Sequence, residues 1–81
     1  MTITKFGRRA VQSAGFQQDL RKIVNADGGT DAALVYTAIV LCADANGRVA
    51  IDDVDDEAIA EFCQQYAGFL TMILHDAVSV N

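Results

Sequence analysis

The sequence predicts an all-α domain, a small bundle of three principal helices, on three observations. Apolar residues recur at helical spacing in two long stretches; between them lies a segment, residues 32–43, that is apolar nearly all round; and turn-forming residues cluster at 25–29 in a chain without proline. Eighty-one residues make one domain, spanning 1–81. A chain of this size buries only about 60% of its unfolded surface, so support from a partner or a second copy is expected. At 52% hydrophobic residues it lies far from the composition of disordered chains.

The first helix is expected over about 4–25. At 100° per residue, Ile3, Phe6, Ala10, Ala14, Phe16, Leu20, Ile23 and Val24 fall within roughly half of the circumference. Gly7 and Gly15 weaken it by up to about 1 kcal/mol each, so a break near Ser13-Ala14-Gly15 into two shorter helices is the alternative. Asn25 to Gly29 supplies the turn that ends it.

Thr30 is a good N-cap and Asp31 follows in the first turn, where the helix dipole favours an anion, which predicts a second helix over about 31–43. A helix apolar all round belongs at the centre of a bundle. Residues 34–41 are also rich in β-branched side chains, so the competing fold is α+β with a β-hairpin at 34–52, turning at 44–47.

The third helix is expected over about 55–77, because Ile59, Cys63, Tyr66, Leu70, Ile73 and Ala77 recur at spacings of 4, 3, 4, 3 and 4. Straight, it would run about 34 Å, longer than so small a domain needs, and Gly68 is where a kink is expected. The surplus of the seam formed by Ile59, Cys63, Tyr66, Leu70 and Ile73 predicts self-association into a homo-oligomer.

The apolar run 32–43 is far shorter than the ~20 residues of a membrane span. No apolar segment of a secretory leader follows the basic start, so a cytoplasmic setting is expected, with Cys42 and Cys63 reduced and behaving as small hydrophobes. Charge is uneven. Residues 1–25 carry five bases against Asp19, a balance of +4, whereas 26–81 carry Arg48 against ten acids, a balance of −9, so the halves should attract or face different partners.

Seven of the eleven carboxylates lie between Cys42 and Glu61. Helix capping accounts for part of this density: Asp53 or Asp55 as N-cap, with Asp56 and Glu57 in the first turn. Residues 42–53 also resemble the twelve-residue EF-hand loop, with Asp44 and Asn46 at positions three and five, Gly47 at the turn and Val49 at the hydrophobic eighth. Such a loop implies calcium, but Cys42 replaces the first carboxylate and Asp53 the bidentate glutamate. A metal-free interhelical connection is therefore expected. Asp52 and Glu61 have no capping role. With Asp53, Asp55, Asp56 and Glu57 they form a candidate acidic face for a protein or nucleoprotein with a basic surface.

Catalytic chemistry is not expected. Two cysteines and one histidine fall short of a zinc site, and no metal or cofactor is expected. Cys63 and His75 would stand about 18 Å apart on a straight helix, too far for a thiolate–imidazole pair. Asp27-Gly28-Gly29-Thr30 lacks the preceding strand and the motif of a phosphate cradle. Lys5, Arg8, Arg9, Arg21 and Lys22 do not share one side and have no interleaved aromatics for stacking, so direct nucleic-acid binding is not expected. In size and charge the chain resembles small acidic inhibitors encoded by phages and mobile elements, anti-CRISPR and DNA-mimic proteins among them. That resemblance implies a non-enzymatic protein that inhibits or modulates a macromolecule. The alternative is a structural subunit of a virion or secretion assembly that uses the third-helix seam.

Overall fold

A computed structural model describes residues 2–26, 29–47 and 55–79. Five helices and no strand occur among them: α1 (Lys5–Ala10), α2 (Ala14–Val24), α3 (Gly29–Leu41), α4 (Asp56–Gln65) and α5 (Ala67–Ser79). The all-α class holds, and residues 34–41 are helical, which removes the outgoing strand of the hairpin; its return at 48–52 lies outside the described residues.

The apolar helix α3 is central and touches each of the other four helices. It buries Ala33, Thr37, Ala38 and Leu41, and three of those four are small, so neighbouring helices can approach closely. Thr37 is fully buried, and its hydroxyl donates to the Ala33 carbonyl at 2.8 Å, which satisfies a polar group that would otherwise be costly to bury. Around α3 pack Phe16 and Leu20 of α2, Phe62 of α4, and Leu70, Leu74 and Ala77 of α5. Phe16 stacks on Tyr36 with ring centroids 5.6 Å apart, and the Tyr36 hydroxyl lies 3.4 Å from Asp19 Oδ2.

The first amphipathic stretch is two helices, broken where the glycine and serine allow it. Ser13 Oγ accepts from the Phe16 amide at 3.2 Å, capping α2, and donates to the Ala10 carbonyl at 2.8 Å, tying down the end of α1. The break lets α1 dock on the C-terminal end of α3. Thr4 joins the two: its hydroxyl accepts from the Gly7 amide at 2.8 Å and donates to the Ala43 carbonyl, while its amide donates to the Leu41 carbonyl at 3.0 Å. One residue thus caps the start of α1 and satisfies carbonyls left open at the end of α3. Gly7 makes that approach possible, because a Cβ there would collide with the Leu41 carbonyl and lie 2.7 Å from Leu41 Cα.

The long third helix is also divided. It bends at Tyr66 (φ −109°, ψ 23°), two residues before the expected Gly68. A straight helix of about 34 Å would nearly span the molecule's longest dimension, 37 Å; the bend lets both α4 and α5 lie on α3. Among the described residues no helix is long and apolar enough to cross a membrane.

Candidate functional site

The first turns of α3 and α4 carry the same pattern, an aspartate followed three and four residues later by apolar side chains: Asp31, Leu34, Val35 and Asp56, Ile59, Ala60. Residues at that spacing share one helix face. α4 starts there because Asp55 Oδ1 accepts from the Ala58 amide at 2.6 Å, which places Asp56 in the first turn. Packed together, the N-terminal halves of the two helices flank an open groove of about 500 Å³. Leu34, Val35, Ile59, Ala60 and Cys63 give it an apolar lining, and Asp31 and Asp56 supply carboxylates of one sign. Val35 is 36% exposed, a large apolar side chain left open to solvent.

No family model, curated protein or solved structure matches this chain. What the molecule does is therefore read from its own surfaces.

Among the described residues, the acidic side chains singled out in the sequence are spread around the start of α4. Asp56 lines the groove, and Asp55 is engaged as the N-cap. Glu61 lies about 140° around α4 from Asp56 at 100° per residue, beside Ala58, Phe62 and Gln65 in a separate shallow depression. Glu57 is exposed in the first turn, and Asp52 and Asp53 lie outside the described residues. The seam is divided as well. Ile59 and Cys63 border the groove, Tyr66 stands at the bend, Leu70 is fully buried, and Ile73 packs against the core.

Sequence reasoning missed Asp31, Leu34 and Val35. Asp31 had a sufficient local explanation at the positive end of a helix, and Leu34 and Val35 lay in a run that looked wholly interior. The repeated Asp-x-x-apolar-apolar pattern was the available signal.

The described half of the EF-hand-like loop is a turn. Asp44 Oδ1 accepts from the Asn46 amide at 2.8 Å, the Gly47 amide donates to the Asp44 carbonyl at 2.9 Å, and Gly47 adopts φ +74°, where a side chain would be strained. Cys42, at the first ligand position, is buried, and burial pushes its thiol up, away from the thiolate that a soft metal would select. Among the described residues no three His, Cys, Asp or Glu side chains are grouped to hold a metal ion. Burial likewise raises the Cys63 thiol. His75 is exposed near the end of α5, its Nε2 3.5 Å from Ser79 Oγ.

A second depression, of about 360 Å³, lies between the α1–α2 elbow and α5. Exposed Phe69 and Met72 border it, together with Arg8 and Asp76, so its charges are of both signs. The α3–α4 groove has one sign of charge beside a continuous apolar lining, and therefore the more selective chemistry.

Proposed function

We propose that this chain is a small non-enzymatic binding protein that modulates or inhibits a partner, a protein or nucleoprotein, by covering a basic surface on it. The observation that carries this reading is the α3–α4 groove, where apolar side chains lie beside Asp31 and Asp56. An apolar anchor flanked by lysine or arginine suits such a groove: desolvation of the anchor supplies affinity, and the carboxylates raise encounter rate and reject acidic competitors. Both thiols held up by burial, and a histidine exposed near a helix end with Ser79 beside its ring, also suit a binding role better than a nucleophilic one.

The test is titration with a synthetic amphipathic peptide that carries one face of leucine and one of lysine. Saturable binding is expected, with NMR shifts at Val35, Ile59 and Ala60, slower alkylation of Cys63, and weakening by salt. Full affinity in the Asp31→Asn, Asp56→Asn double variant would sink the acidic-groove reading. The structural-subunit alternative draws on the exposed Phe69 and Met72 of α5, with half-buried Ile73 beside them, since Leu70 of the seam is committed to this chain's own core.

A further inference from the structure

The two ends of α3 carry opposite chemistry. At its C-terminal end sits α1, on which Phe6 is 42% exposed and is accompanied by exposed Lys5 and Arg9. Phe6 and Arg9 are three residues apart and so adjacent on the helix surface, which makes a ring with a guanidinium beside it. At the N-terminal end lies the groove, apolar and bordered by Asp31 and Asp56. The first surface is an apolar anchor with a basic flank, and the second accepts that combination.

A single chain cannot join them to each other. Thr4 and Gly7 hold α1 against Leu41, and Leu41 stands ten residues from Asp31, about 15 Å along the α3 axis at 1.5 Å per residue. We propose that the groove accepts a second copy of this chain, its Phe6 seated against Val35 and Ile59 and its Lys5 and Arg9 facing Asp31 and Asp56. The contact is head to tail. Each copy offers one α1 and one groove, so association closes as a ring, of which a reciprocal pair is the smallest, or grows as an open chain.

The net charge of −5 does not forbid this. At about 0.1 M salt the Debye length is about 10 Å, so repulsion between whole molecules is screened while charges in contact still attract. High salt should then weaken the contact itself. The inference rests on the groove being a binding surface for basic partners, and such partners would compete with the second copy.

The experiment uses two single-surface variants of the full chain. Phe6→Ser with Arg9→Glu removes the anchor and keeps the groove; Val35→Glu spoils the groove and keeps the anchor. Both sites are exposed by a third or more, so folding should persist, as helical circular dichroism will check. If either variant loses its helical signal, Lys5→Glu and Asp31→Lys replace them. By sedimentation, the unaltered chain should gain mass with concentration at low salt and return to monomer at high salt. Each variant alone should remain a monomer. Mixed, they should form a one-to-one dimer, twice the monomer mass and no larger, because one intact contact remains. A monomer at every concentration, association that survives either variant, or a mixture that stays monomeric would overturn the second-copy proposal. Titrating the Phe6→Ser, Arg9→Glu monomer with the basic peptide separates the two readings. Peptide binding without self-association removes only the second copy, whereas absence of both removes the groove as a binding surface.

Discussion

Replacing Gly7 by alanine should destabilise the protein strongly, although alanine is the better helix former. The added Cβ would lie 2.7 Å from Leu41 Cα, where carbon atoms normally sit about 3.5–4.0 Å apart. The obstruction is backbone, and it cannot rotate away. α1 must therefore withdraw from α3 by about 1 Å, which disrupts the bonds from Thr4 to the Leu41 and Ala43 carbonyls. Overpacking costs about 1–3 kcal/mol and the two hydrogen bonds about 1 kcal/mol each, against a helix-propensity gain of up to about 1 kcal/mol. The net loss is about 3 kcal/mol, and at about 4–8 °C per kcal/mol the melting midpoint should fall by about 10–25 °C. Gly15→Ala and Gly68→Ala are matched controls. A Cβ at either position meets nothing within 4 Å, so each should be neutral or stabilising by up to about 1 kcal/mol. Urea unfolding of the three variants measures the contrast. If Gly7→Ala equals the parent or follows the two controls, the close approach of α1 to α3 is wrong.

Three further expectations follow from particular contacts. Leu70→Ala should cost about 2–5 kcal/mol in urea unfolding, since Leu70 is fully buried; loss of self-association with unchanged stability would instead place it on an outer seam. Asp55→Ala should cost about 0.5–2 kcal/mol through loss of the cap on Ala58, while Asp56→Asn should cost about 0.3–1 kcal/mol through the helix dipole, and a larger loss for Asp56→Asn than for Asp55→Ala would contradict the capping geometry. Burial, reinforced by the charge and hydrogen bond of Asp19, raises the Tyr36 hydroxyl above its ordinary value near 10. The folded state then holds this proton more tightly than the unfolded chain, so stability is full below about pH 10 and falls as pH rises through the folded value. The buried Cys42 and half-buried Cys63 thiols add the same sign from the thiol range upward, so Tyr36→Phe should flatten only the alkaline part of the profile, and an unchanged profile would refute the assignment.

Much of the fold was legible because helix signals are local. Asp53 or Asp55 as N-cap, Asp56 and Glu57 in the first turn, the periodicity of Phe16, Leu20 and Ile23, and a break near Ser13 as the alternative to one helix over 4–25 all concern residues three or four apart; the structure takes Asp55 and the break. The bend in the third stretch was legible only to within two residues, as the kink expected at Gly68. It falls at Tyr66 instead, where it lets both Phe62 and Leu70 reach α3. The candidate site was legible only in part, as Asp56, Ile59 and Cys63; in sequence the α3 side reads as wholly interior.

By itself the sequence determined the amphipathic helices on either side of residues 32–43, the central place of that apolar segment if helical, and an uneven charge in which residues 1–25 are basic and the remainder acidic. Tertiary structure alone decided what those features mean. It turned Gly7 from a weak point of a helix into the contact that docks α1, joined Asp31 to Asp56 across 25 residues of chain, and consumed Leu70 of the expected outer seam inside the core. The physical reason is range. Helix formation depends on neighbours within one turn, whereas a groove depends on which faces of two helices meet, and that is set by packing the whole core at once.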